Sequence, residues 1–596
     1  MLTILILLLY AALVFFTIKA KQTFTPAGVM VFLWTALNSM LLLFFRDWVE
    51  LTYVGLLYIA AGVTAFVVGT IIASKTAKNI SNSPNLSFNT KLAVIILSAT
   101  IALGFVNPIH SIYANGFSIF NLFDLEEISN MTKEFSMIRY YKENESYSKI
   151  TQFFLIFTYT APIIAGFCWL FFKRGWQKAL CIVALLPCIF ITFSQSTKMS
   201  TLVALIFFFA GIIVAYISYG IKIKITPKYI IIVSCVSALV LAGLFYSMLT
   251  RWGAEITDDK VENNKTTFFN YTFGSPICFD HWLYDEIQGL DYSTSLLQNS
   301  LLIRWGYFKK VENGIRVDFN PAISKKFINI SGRFIDEFKY DSLNNYTIQF
   351  DLQCNTKPDS VKISLYSRHA NPLGHYLISM ENEEQIEPNK WHYSRTFSLD
   401  HSRSVIRTPN IILSLHNASY FEITKLRLDT GTVAQPWVNG SGNMFYRDNS
   451  LKYGVMTFFG IFNGIGLAKR QTGIYRDFVY FGRLDKTMRS NVYTIFRMLI
   501  DDFGKVGALI FLLLLGFASG KAVVMIQKRK FVFLCQAFLI AVYSYVLWGF
   551  VASIWAYTSI LCAFGLSFFI FSILQKPLQG DTWVTKITKK LKPKQK

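Results

Sequence analysis

The stretch Met199-Ser-Thr-Leu-Val-Ala-Leu-Ile-Phe-Phe-Phe-Ala-Gly-Ile-Ile-Val-Ala-Tyr-Ile-Ser-Tyr219, followed by Lys222, Lys224 and Lys228, decides the fold. Its 21 residues carry no charge. At about 1.5 Å per residue they cross a hydrocarbon core of about 30 Å as one helix. A helix is required because lipid offers no partner to a bare backbone amide or carbonyl. The lysines after it mark which end stays in the cytoplasm.

Similar blocks recur along the 596 residues, starting near Leu2, Ala27, Leu51, Lys91, Gln152, Ala179, Met199, Tyr229, Gly504, Phe531 and Val551. The expected architecture is a polytopic α-helical membrane protein with about eleven spans. The first block reads as a span, because no basic segment precedes it and no small-residue cleavage site follows. Composition agrees: 53% of residues are hydrophobic and only 16% charged, against about 25% charged in soluble chains. The formal charge of +22 would suggest nucleic acid on a soluble protein. Here it lies largely in short loops, so no nucleic-acid partner is expected. Six clusters alternate onto one side: Lys19 and Lys21; Lys75 and Lys78; Lys173, Arg174 and Lys178; Lys222 to Lys228; Lys528 to Lys530; and Lys586 to Lys596. That side should be the cytoplasm, with the long loops at about 107–149 and 250–502 outside a bacterial inner (plasma) membrane.

A loop of some 250 residues must contain folded structure. Within it, period-2 alternation replaces the apolar blocks, as in Tyr346-Thr-Ile-Gln-Phe-Asp-Leu352, Val361-Lys-Ile-Ser-Leu-Tyr366, Ile411-Ile-Leu-Ser-Leu415 and Phe421-Glu-Ile-Thr-Lys-Leu-Arg-Leu428. Short alternating strands between polar turns predict an inserted all-β sandwich. The domain reading is therefore a membrane part over 1–290, the β insert over 291–440, and a second membrane part over 441–596. Six of the eight cysteines sit in apolar blocks as small core residues. Cys278 and Cys354 lie outside them, and one bridge between these two is left open. His369, His375, His392, His401 and His416 show no metal-ligand spacing.

After the insert, residues 447–497 hold nine basic and three acidic side chains, a balance of +6. A cationic run on the outer face is not explained by topology, and its natural target is a surface-held anion such as a lipid-linked pyrophosphate. Arginine suits that target, since its planar fork grips phosphate oxygens in pairs and stays charged.

Two segments carry a resemblance to a known family. Ser490-Asn-Val-Tyr-Thr-Ile-Phe-Arg-Met-Leu-Ile-Asp-Asp-Phe-Gly-Lys-Val-Gly507, running into a span, looks like the signature of bacterial oligosaccharide repeat-unit polymerases, also called O-antigen or capsule polymerases. Tyr271-Thr-Phe-Gly-Ser-Pro-Ile-Cys-Phe-Asp280 and Arg251 look like the preceding loop of that family. The insert, through Trp391-His-Tyr-Ser-Arg-Thr-Phe397 and Leu426-Arg-Leu-Asp-Thr-Gly-Thr-Val-Ala-Gln-Pro-Trp437, resembles jelly-roll carbohydrate-binding modules. The resemblance implies a GT-C-like membrane glycosyltransferase that joins polyprenyl-pyrophosphate-linked repeat units. It would work beside a chain-length regulator and a flippase, within membrane lipid. It also implies the catalytic candidates Arg251, Arg489, Asp280, Asp502 and His281. Substrate contacts would come from Lys198, Arg447, Arg470, Arg476, Arg483, Tyr271, Trp282, Asn491 and Tyr493. No cofactor and no metal are expected, because fixed arginines can hold the leaving pyrophosphate. Related ligases tend to carry a His where this chain has Ser490. Ligation and flipping of the same lipid-linked glycan are the alternatives.

Overall fold

The computed structural model describes residues 2–49, 51–75, 86–114, 116–124, 126–127, 130–131, 149–194, 199–221, 258–287, 306–311, 314–323, 326–330, 345–366, 375–380, 383–398, 410–415, 417–431, 451–467, 479–480, 489–490 and 492–577. The chain is a polytopic helical membrane protein. Its helices are α1 (Leu2–Lys19), α2 (Pro26–Phe44), α3 (Val54–Lys75), α4 (Thr90–Ala114), α5 (Lys149–Cys168), α6 (Gly175–Val183), α7 (Leu186–Ser194), α8 (Met199–Tyr219), α9 (Asp258–Ile287), α10 (Phe459–Gly464), α11 (Ile495–Gln527), α12 (Val532–Trp548) and α13 (Thr558–Leu574). Among the described residues seven helical stretches are long and apolar enough to cross a membrane, α6 and α7 counting as one. Three shorter apolar helices, Gln152–Cys168, Val532–Trp548 and Thr558–Leu574, accompany them. The span expected from Tyr229 lies outside the described residues.

Two starts differ from the hydropathy reading. The last apolar block begins as a helix at Thr558 and not at Val551, after a short 3-10 turn over Ile554–Ala556. The block placed at Gly504 belongs to a helix that begins at Ile495 and breaks at Gly504, with φ 73° and ψ 172°. That combination is open essentially to glycine alone. Hydropathy registers only the apolar part after the break.

The two membrane parts are joined by α3 and α11, which run side by side in the same direction. Their interface is built on small residues: a Cβ at Gly69 would meet the Leu513 carbonyl, and one at Gly516 would meet that of Phe66. Close backbone approach of this kind is how helices associate in lipid, where apolar burial drives little. Thr70 Oγ1 adds a bond to the Gly516 carbonyl at 3.0 Å. At the C-terminal end of this pair, which Lys75 and Lys528–Lys530 mark, further described elements meet. Gln22 after α1 donates to Ser74 at 3.1 Å. Arg529 reaches the Ser218 carbonyl at the end of α8. The same end holds a buried amide pair, in which Gln536 and Gln575 bond each other at 3.0 and 2.9 Å.

The strands up to the end of the insert are, in chain order, β1 (Leu86–Phe88), β2 (Gly306–Val311), β3 (Gly314–Ile323), β4 (Lys326–Ile330), β5 (Asn345–Cys354), β6 (Ser360–Tyr366), β7 (His375–Ser379), β8 (Glu383–Glu387), β9 (Lys390–Ser398), β10 (Asn410–Leu415) and β11 (Ala418–Thr430). The last ten form two antiparallel sheets, of order β2-β3-β11-β5-β9-β8 and β4-β10-β6-β7. The alternating stretches read from the sequence lie in β5, β6, β10 and β11. Their odd-even pattern exists because one face is apolar. Tyr346, Ile348, Phe350, Leu352 and Cys354 of β5 are buried there, beside Trp391, Tyr393 and Phe397 of β9. Cys278 and Cys354 are both free and buried, so the bridge left open does not form.

The opposite face of β5 carries a buried carboxylate. Asp351 lies 2.7 Å from His392 Nδ1 and 3.2 Å from Lys425 Nζ. Burial alone would raise its pKa, but the bonds from His392 and Lys425 outweigh that and hold it below the usual carboxylate range. A carboxylate lowered in the folded state contributes stability above its unfolded pKa and loses it as pH falls through the folded value. The insert, expressed as residues 291–440, should therefore melt at a lower temperature as the pH drops below about 4. Asp351→Asn should flatten that dependence; an unchanged acid slope would remove Asp351 from the account.

Candidate functional site

The long loop contains a helix the sequence reading did not anticipate. In α9 the first turns are polar and charged, and Pro276 sits inside it. From Phe269 onward it has a buried face, made by Phe269, Phe273, Ile277, Cys278, Phe279 and Trp282. This face docks at the N-terminal end of α3. There Asp280 is fully buried. One of its oxygens accepts from the Thr52 and Tyr53 amides at 2.6 and 3.1 Å, and the other from the Gly55 amide at 2.7 Å. A helix start leaves its first amides without intrahelical partners. Asp280 therefore caps α3 from a distant part of the chain, with its negative charge at the positive end of the helix dipole.

The second segment arrives beside it. Arg489 and Ser490 pair with Tyr480 and Val479 in a two-residue ladder. The Ser490 carbonyl accepts from Cys278 Sγ at 3.3 Å, across 212 residues of chain. From there the chain enters α11 with Tyr493 buried. Arg497, one turn on, is only 4% exposed. Its guanidinium carbon lies 3.9 Å from the Tyr493 ring centre and 4.9 Å from that of Trp282. Its Nε is 3.8 Å from Asp501 Oδ2. A planar cation flanked by aromatic rings is favoured by their quadrupoles, and more so when water is excluded.

Asp502 is also fully buried, and it holds a third piece of chain. Its carboxylate accepts from the Met456 and Thr457 amides at 2.9 and 2.7 Å. The carbonyls of Asp501 and Asp502 accept from the Lys452 and Tyr453 amides at 2.9 and 3.0 Å. Gly504 breaks the helix directly after this clasp. One end of the bundle, opposite Lys528–Lys530, thus gathers Asp280, Trp282, Tyr493, Arg497, Asp501 and Asp502.

Of the residues selected from sequence, Asp280, Asp502, Trp282 and Tyr493 are brought together here. Asp280 and Asp502 are occupied in binding backbone amides, and Asp502 holds a loop rather than a helix start. His281 follows Asp280 on α9 and is half-buried. Tyr271 lies on α9 and Arg489 on the short ladder, each placed through its backbone. Lys198, Arg251, Arg447, Arg470, Arg476, Arg483 and Asn491 lie outside the described residues. Arg497 was one of nine basic residues in the run and was not singled out. Its signal was local: an aromatic four positions earlier and an acid four positions later on one helical face. Among the described residues no three His, Cys, Asp or Glu side chains gather as a metal site. No family model matches the chain, and no curated protein or solved structure matches it.

Proposed function

We propose that the chain is a membrane glycosyltransferase that polymerises polyprenyl-pyrophosphate-linked oligosaccharide repeat units, as in O-antigen or capsule synthesis, on the outer face of a bacterial inner membrane. The reading rests on one observation above all: Arg497, buried against Trp282 and Tyr493, links the Ser490–Gly507 segment to the helix that carries Tyr271–Asp280, the two segments whose sequences resemble the polymerase family. In the same reading the membrane part has about eleven spans of GT-C-like kind. The two sheets of the insert pack as a sandwich of carbohydrate-binding-module type, and a chain-length regulator and a flippase are the working partners.

In the reaction a hydroxyl oxygen of the acceptor glycan bonds to the anomeric carbon of the donor. The bond from that carbon to the pyrophosphate oxygen breaks, and polyprenyl pyrophosphate leaves with the electron pair. The acceptor proton passes to a base, for which His281 is our candidate because the Asp280 carboxylate is engaged by three amides. Charge grows on the leaving oxygen, and preorganised cations are the most effective way to hold it. Arg497, together with Arg251, Arg447, Arg483 and Arg489, would supply that charge, while aromatic faces such as that of Trp282 orient sugar rings.

Glycan analysis of a deletion strain tests the function. A polymerase predicts single repeat units on the final carrier. Long chains retained on polyprenyl lipid would indicate ligation instead, and single units trapped on the cytoplasmic side would indicate flipping.

A further inference from the structure

Residues 451–467 are apolar, with Lys452 as their single charge. They hold a succession of turns and the six-residue α10. Six helical residues advance only about 9 Å, far short of the ~30 Å core, so this element does not span. Its inner side is tightly seated: Gly454, Thr457 and Gly460, three residues apart, are buried. A Cβ at Gly460 would meet the Trp555 carbonyl and the Thr558 amide. Thr558 Oγ1 donates to the Gly460 carbonyl at 2.8 Å, and Phe458 stacks on Trp555 at 5.5 Å.

The outer side is different. Tyr453, Ile461, Ile465 and Leu467 are 78, 49, 65 and 73% exposed. Leu451 continues this surface onto α11, its Cδ2 standing 3.8 Å from the Cβ position of Gly504. There Val506, Ile510, Leu514 and Phe517 form an exposed stripe along an apolar span, which is lipid-facing surface. The backbone of the element also meets the demand that lipid makes. Turn bonds run from the Phe458 amide to Gly454, Ile465 to Ile461, Gly466 to Asn463 and Leu467 to Phe462, all between 2.8 and 3.2 Å. A satisfied backbone with large exposed apolar side chains is suited to hydrocarbon.

We propose that residues 451–467 form a non-spanning element seated in the acyl-chain layer of the bilayer, at the end of the bundle where α11 begins. Its occupant is the acyl chains of bulk phospholipid, continuous with those covering the Val506–Phe517 stripe. Since the clasp on Asp501 and Asp502 lies one helical turn from Arg497, the lipid layer reaches the edge of the candidate site. The inference does not depend on the enzyme reading.

The test is nitroxide labelling of the full chain in phosphatidylethanolamine–phosphatidylglycerol vesicles, with Cys235 and Cys562 replaced by alanine. Labels go on Ile461→Cys and Ile465→Cys, with Phe569→Cys on α13 as the lipid control and Asn417→Cys on the insert as the water control. The ratio of collision with oxygen to collision with a water-soluble nickel chelate should match that at 569 and exceed that at 417 several-fold. A ratio like that at 417, or shielding from both reagents by covering protein, overturns the proposal. A second measurement needs no apolar substitution. A phospholipid with a photoactivatable group on its acyl chain should label the 451–467 peptide of the unaltered protein. Label on α13 without label on 451–467 would overturn it equally.

Discussion

Arg497→Lys should lower polymer output by roughly a hundredfold at matched protein level, the loss of about 3 kcal/mol expected when one preorganised charge contact to the transition state fails. Lysine keeps the charge but not the plane, and it cannot lie between the rings of Tyr493 and Trp282 or present paired donors to a pyrophosphate. The burial of Arg497 makes the test sharp, because a solvated surface arginine tolerates lysine within a few-fold. A structural role for Arg497 would show in the melting temperature of the purified variant. The catalytic reading requires a fall in kcat with little change in that temperature. Normal output from Arg497→Lys, or a loss that merely tracks reduced folded protein, removes it from the site.

Asp280→Ala should act through the other route. It strips an acceptor from three amides at once, that of Gly55 buried and those of Thr52 and Tyr53 half-buried. A buried donor left without a partner costs about 1–3 kcal/mol and a half-buried one less, so the total is on the order of 3 kcal/mol, a large fraction of the stability of most domains. The expected result is a fall in monodisperse detergent-purified protein and a lower thermal aggregation temperature. Asp280→Asn, which keeps one carbonyl oxygen, should fall between. If Asp280→Ala purifies normally and melts normally but makes no polymer, the carboxylate is a chemical participant and not a cap.

The membrane helices were legible because lipid imposes a single rule, and uninterrupted apolar runs such as 2–19 and 199–219 can satisfy it only as helices. The strands were legible where one face is apolar, as along Tyr346 to Leu352. The helix α9 escaped notice because its first ten residues, Asp-Asp-Lys-Val-Glu-Asn-Asn-Lys-Thr-Thr, carry no apolar stripe and Pro276 interrupts the rest. Burial was the other invisible quantity. Composition treats a buried arginine such as Arg497 and a solvated one alike, and it cannot tell a carboxylate that holds three amides from one that waits for a proton. The partners of Asp280 are backbone groups of Thr52, Tyr53 and Gly55, which leave no side-chain signature in a sequence.

The cap on α3 has a consequence for how the protein is made. Thr52 and Asp280 are 228 residues apart. A ribosome that has delivered α3 to the membrane has yet to synthesise the acid that closes its end. Until then the amides of Thr52, Tyr53 and Gly55 stand open, and the small-residue face of α3 waits longer still for α11. A nascent chain arrested before Asp280 thus carries a helix end whose first amides lack this acceptor. Biogenesis of the first membrane part is complete only when the last part has been inserted, so the halves supplied as separate genes should stabilise one another and accumulate only together.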